Sequence, residues 1–205
     1  MKKEIFISTD VEATGPIPIK HSMLSFASAA FTIDKELIST YSANLKEIDG
    51  AIMDPDTQIF WNQNPDAWNK SRENLKDIDE ALNEYLSWVL ELKKKYVPIF
   101  LAYPAGFDFT FVRVYLEYFI GNCPFGFSCL DLKSYAMGIL NIPFKEVTKK
   151  SLNDFNYPKL IHSHIALDDA VEQGSLFINL YRFNNNLSKI VGINNKTNYL
   201  LQYKQ

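Results

Sequence analysis

Apolar residues along this chain keep two alternating rhythms. The run Ile5-Phe6-Ile7-Ser8-Thr9-Asp10-Val11-Glu12-Ala13 is apolar and β-prone and ends at Gly15-Pro16. Residues 24–31 and 37–45 repeat that character on either side of a Thr32-Ile33-Asp34-Lys35 turn, which predicts three consecutive strands paired antiparallel. A helical rhythm then takes over. Ile78, Leu82, Tyr85, Leu86, Val89 and Leu92 fall three and four apart, predicting one core-facing helix over 78–96. A short strand follows, Val97-Pro98-Ile99-Phe100-Leu101-Ala102, broken at Pro104-Ala105-Gly106 before another segment of helical spacing. Residues 130–140 suggest a further helix, and a last one begins near Ala166 and carries apolar positions to Phe183.

Strands followed by alternating strand and helix predict a mixed α/β domain. The 205 residues, 47% hydrophobic, suffice for one well-cored domain and are few for two. That domain is assigned to 1–185. The Asn184-Asn185-Asn186 run introduces an end, 186–205, that reads as a loosely ordered tail.

Candidate chemistry sits where the rhythms break. Side chains two apart on a strand share a face, so Asp10 and Glu12 project together near the strand's end. Two such carboxylates repel each other, and a hard divalent cation relieves the repulsion. A solvated strand end is the bland alternative. Asp108 falls at a helix start, where a structural N-cap and a functional acid look alike. His164 leads Asp169 by five residues across the start of the last helix, so both can face one point; His162 reads as a loop residue.

In this order the residues resemble the DEDDh group of 3′-to-5′ exonucleases, relatives of proofreading exonucleases, oligoribonuclease and ribonuclease T. Asp10, Glu12, Thr14 and Gly15 match the first motif, Phe107-Asp108 closes the second, and His164, Ala166, Asp169 and Ala170 match the third. The resemblance spans almost the whole chain. It implies the ribonuclease H-like fold, a mixed sheet flanked by helices in one domain, and a metal-dependent 3′-to-5′ exonuclease acting on single-stranded RNA or DNA ends. Two Mg²⁺ or Mn²⁺ ions would lie among Asp10, Glu12, Asp108 and Asp169, and His164 would act on the attacking water. Backbone around Val11, Ala13 and Thr14 would cradle the terminal nucleotide, with Met23 or Leu24 against its base. Some relatives pair, so a homodimer stays open.

Two positions depart from the family pattern. Tyr103-Pro104 stands where the second motif commonly carries His-Asn, and Ser25 stands near the place of a second-strand Glu. Neither removes an implied metal ligand, but contacts to the terminal nucleotide differ. Between the first two motifs, Trp61 and Arg72 lie in a stretch resembling a Trp-to-Arg segment of some relatives. Trp61 is read as a base-stacking platform and Arg72 as a phosphate partner, with packing as the alternative for the tryptophan. Lys145, Lys149 and Lys150 are further candidates for phosphate contact.

The net charge of −3 gives no general attraction to nucleic acid, so the site itself must supply it. Two cysteines, Cys123 and Cys129, cannot complete a zinc site and read as free thiols. With no signal peptide and no apolar stretch of about 18 residues, a cytoplasmic protein with no membrane partner is expected. Two alternatives stay open: a phosphodiesterase on short oligonucleotides or small nucleotides, and a catalytically weak nucleic-acid-binding module.

Overall fold

The computed structural model describes residues 2–156, 159 and 163–190, the last four by backbone alone. His162 and most of the expected tail lie outside the described residues. A five-stranded sheet in the order β3-β2-β1-β4-β5 forms the centre. β1 (Lys3–Ala13), β2 (Met23–Phe31) and β3 (Leu37–Asn44) make the expected antiparallel meander, and β4 (Tyr96–Ala102) joins β1 in parallel. β5 (Leu130–Asp131) adds two residues beside β4. The predicted helix over 130–140 therefore starts later, as α5 (Leu132–Leu140).

The remaining helices are α1 (Pro55–Gln63), α2 (Pro65–Ser71), α3 (Ile78–Lys95), α4 (Ala105–Tyr115) and α6 (Ala166–Ile190). α4 runs on into a π-helical turn at Leu116–Ile120, and α6 continues beyond Phe183, where its apolar run ends.

Strand alternation sorts the core onto two faces. Val11, Phe26 and Phe100 meet Tyr85 and Val89 of α3 and Phe111 and Val112 of α4 on one side. Phe6, Ala29, Phe31 and Leu101 meet Leu176, Phe177 and Leu180 of α6 on the other. β2 is buried at all nine positions and carries small residues at Ser25, Ala27 and Ala29, on the side that faces α6. Gly174 makes the close approach possible, since a Cβ there would stand 2.4 Å from the Phe31 ring and 3.0 Å from the Ser8 Cβ. A polar ladder through the α3 face is satisfied within itself: Thr9 and Ser28 hydroxyls at 2.7 Å, Ser28 and Tyr85 at 3.0 Å.

Pairing of β1 with β4 stops at Ser8↔Leu101, whereas pairing with β2 continues to Ala13. The last turn of β1 thus has one paired edge and one open edge. That asymmetry places the site.

Candidate active site

Asp10 and Glu12 project from the α6 face of β1, opposite Ala27 and Ser25 of β2. Asp108, in the first turn of α4, comes in from the open edge instead. Its Oδ1 accepts the Val11 N–H at 2.9 Å, taking the place of the strand partner that β4 no longer provides. No side chain of α4 caps its own start. Asp131 does so from the end of β5: Oδ2 accepts the Ala105 N–H at 2.8 Å while Oδ1 accepts Ser134 N–H at 2.6 Å, so one carboxylate caps α4 and α5 together.

Asp169 is fully buried in the first turn of α6 and folds the incoming loop around itself. Its two oxygens accept the Ser163 N–H at 2.9 Å and the His164 N–H at 3.0 Å. These bonds hold His164 at φ 57°, a left-handed conformation that histidine tolerates better than most side chains. The imidazole also meets the ring of Phe60 edge-on, centroids 4.9 Å apart. Ligand atoms of Glu12, His164 and Asp169 consequently lie within 4.8 Å of one another.

This convergence has an electrostatic cost. Burial, then the charges of Asp10, Asp169 and Asp108, push the Glu12 carboxyl well above the ordinary range. Asp108 is raised by burial and by Asp10, against the opposing pull of the Val11 amide. Among the described residues no lysine or arginine forms an ion pair with Glu12 or Asp108. Such a donor set, hard oxygen ligands in like-charge repulsion with an imidazole beside them, fits a divalent cation.

Gln173 was not anticipated. It is one turn after Asp169 on α6, 1% exposed, and its Nε2 donates to Asp10 Oδ1 at 2.7 Å, while its own Oε1 has no partner. Its i+4 relation to Asp169 was the available signal, because residues four apart share a helix face.

Beside Glu12 opens a cavity of about 520 Å³, lined by Val11, Ala13, Pro16, Phe60 and Phe107 with Asp54 and Asp56 at one wall. Gly15 lets this wall close up, since a Cβ there would stand 2.5 Å from His21 Nδ1 and 2.7 Å from Asp54 Cβ. Of the nucleotide contacts expected from sequence, Val11 and Ala13 border this space. Thr14 does not: its hydroxyl donates to the Ile52 carbonyl and accepts the Ser22 amide, pinning the β1–β2 connection.

Four expected contacts are corrected. Met23 and Leu24 are fully buried, Met23 in the α3/α4 core and Leu24 under α1 and α2. Trp61 is 2% exposed, packs against Trp68, and donates its Nε1–H to the Ala13 carbonyl at 3.1 Å. Trp61 borders the cavity but leaves too little surface for a base to stack on; Phe60 and Phe107 are the aromatics half-exposed there. The Arg72 guanidinium is spent on carbonyls of Leu24 (2.8 Å), Leu45 (2.9 Å) and Ser71 (2.9 Å), clamping α2 to β2 and the end of β3. Lys149, a candidate phosphate contact, pairs with the buried Glu172 of α6. Tyr103, standing at the altered second motif, donates its hydroxyl to the Val147 carbonyl and so holds the same loop.

No family model matches the chain. The 3′-5′ DNA exonuclease Cap18 of Escherichia coli is 32% identical over 181 residues, spanning 85% of this chain and 90% of that protein. The chain belongs to the DEDDh 3′-5′ exonuclease family. The nuclease domain of 3′hExo, a DEDDh member bound to rAMP, superposes with a TM-score of 0.67 at 14% identity, covering 88% of this exonuclease and 93% of that domain. Pop2p of S. pombe, in an Mg²⁺- and Mn²⁺-bound form, gives 0.59 at 13% identity over 84% and 81% of the two chains. Both likenesses support the ribonuclease H-like architecture of the exonuclease. No helix among its described residues is long and apolar enough to cross a membrane.

Proposed function

We propose that this exonuclease removes nucleotides from the 3′ ends of single-stranded DNA, using two Mg²⁺ or Mn²⁺ ions held among Asp10, Glu12, Asp108 and Asp169. The observation that carries this reading is the convergence of Glu12, His164 and Asp169 within 4.8 Å, beside a cavity large enough for one nucleotide. DNA is chosen because the relative at 32% identity is named as a DNA exonuclease.

When bound, the divalent ions would activate water and neutralise charge at the scissile phosphate. The protein's own contribution is positional. Asp169 holds His164 through its main-chain amide, leaving the imidazole beside Glu12, where it takes the proton of the attacking water. Gln173 fixes the rotamer of Asp10, and the Val11 amide fixes that of Asp108. Phe60, Phe107 and Pro16 offer apolar surface to the terminal nucleoside.

A time course on 5′-labelled single-stranded DNA and RNA of one sequence, with Mn²⁺, with EDTA, and with Asp169→Asn, tests the reading. A descending ladder, faster on DNA and dependent on both the metal and Asp169, is expected. Cleavage of dinucleotides alone, or no cleavage by folded protein with metal, would overturn it.

A further inference from the structure

On the other side of His164 lies a second, smaller cavity of about 170 Å³, with no carboxylate among its lining residues. Its floor is the α6 face of the sheet, where Ser25 and Ser42 project, and its walls are Lys70 and Ser71 of α2 and residues Ile165, Ala166 and Leu167 at the start of α6. Amides at the start of a helix lack an intrahelical acceptor and carry the positive end of the helix dipole, though the Ile165 amide just before α6 already donates to Ser163 Oγ. Ser25 is 5% exposed, stands directly opposite Glu12 in the β1–β2 register, lines the cavity, and makes no side-chain hydrogen bond among the described residues. Lys70 adds a cation, though its Nζ also bridges Glu73 at 2.7 Å. The acids of the first turn of α6 turn elsewhere: Asp168 accepts the Ser163 hydroxyl, and Asp169 the Ser163 and His164 amides.

We propose that this cavity is a phosphate-binding subsite. Helix-start amides, a buried hydroxyl without a partner and a flanking lysine are the groups that bind a tetrahedral oxyanion. The identity of residue 25 decides the sign of the site. A glutamate there would place a carboxylate under the α6 amides and satisfy them from within the chain; serine leaves the position neutral and open. The phosphate that occupies it is one further along the polynucleotide than the bond being cut, since the 5′-phosphate of the released nucleotide is the scissile phosphate and belongs to the acidic cluster. Its role in turnover rests on the nuclease reading of the neighbouring site, but its affinity for phosphate does not.

Full-length protein in EDTA, where metal-bridged phosphate at the acidic cluster is removed, is titrated with inorganic phosphate, deoxyadenosine 5′-monophosphate and a single-stranded oligonucleotide. Binding is read by ³¹P line broadening and by thermal shift. Ser25→Glu is expected to bind about tenfold or more weaker than wild type, and Lys70→Ala about two- to fivefold weaker. Tighter binding of the oligonucleotide than of the mononucleotide is expected for a phosphate of the strand, and the reverse order would overturn that assignment. Should Ser25→Glu lose its fold, Ser25→Val and Lys70→Ala decide. Absence of phosphate binding in EDTA, or wild-type binding by the folded variants, would overturn the proposal. Loss of cleavage with phosphate binding intact would instead count against the nuclease reading.

Discussion

Two cavities meet where the rings of Phe60 and His164 touch, and they are opposites. The larger is rimmed by Glu12, Asp54 and Asp56 and demands positive charge; the smaller is floored by serine hydroxyls under the start of a helix and demands negative charge. Both are built from the same end of the same sheet. Glu12 and Ser25 are cross-strand partners, so one residue pair sets the sign on each side. A phosphodiester substrate needs both kinds of surface, cations at the bond to be cut and anion-binding groups for its other phosphates.

The sharpest way to break this contrast is to neutralise the acidic side. Asp169→Asn is expected to bring exonuclease rate to background in a 5′-label assay, since it removes a proposed ligand and weakens the acceptor that holds His164. His164→Ala, with the carboxylates intact, should lose about 10²–10⁴-fold in single-turnover rate, the usual worth of a general base. Next comes Gln173→Leu, which removes the amide that orients Asp10. A loss of about 10–100-fold, together with a higher Mn²⁺ requirement, is expected for a residue that acts through a ligand. An unchanged Mn²⁺ requirement would reduce Gln173 to a packing residue.

The acidic side should also report itself in stability. Glu12 and Asp108 have folded-state values raised by burial and neighbouring charge. A carboxyl raised on folding holds a proton in the folded chain that the unfolded chain has lost. Its stabilising protonation is complete below the ordinary carboxylate range and disappears as pH rises through the raised value. In EDTA, Glu12→Gln should therefore match wild type at low pH and exceed it in Tm by an increasing margin toward neutral pH. Divalent ions should close that gap by stabilising wild type. A gap that shrinks with rising pH would contradict the electrostatic picture.

The smallest effect on catalysis is expected from the α1–α2 segment. Arg72→Met leaves the carbonyls of Leu24 and Leu45 short of a donor, costing about 1–3 kcal/mol of stability in chemical denaturation, with activity per folded molecule retained. A selective rise in KM would restore Arg72 as a substrate contact.

What could be read from sequence divides along the same line. β1 to β3 and α3 were legible because each carries a long apolar rhythm with a clear turn or charged end. Asp10, Glu12, Asp108, His164 and Asp169 drew attention because each stands where a rhythm breaks; the fold brings Glu12, His164 and Asp169 within 4.8 Å of one another and places Asp10 and Asp108 close enough to raise Glu12. Hidden features were those fixed by partners distant in sequence. β5 is two residues long and exists only because Leu101 and Ala102 offer an edge. α1 and α2 are short, and their signals were the caps Asp54-Pro55 and Asn64-Pro65 rather than periodicity. Trp61 and Arg72 carry side chains suited to nucleic acid, and only burial shows that Ala13, Leu24 and Leu45 claim them first.

Cation binding by the Asp10, Glu12, Asp108 and Asp169 cluster is the claim on which the rest depends, and it is most directly tested by titrating full-length protein with Mn²⁺ under electron paramagnetic resonance. Wild type is expected to bind two ions saturably, His164→Ala to keep that binding while losing rate, and Asp169→Asn to lose it. Wild-type Mn²⁺ binding by folded Asp169→Asn would place the cations elsewhere and contradict the assignment.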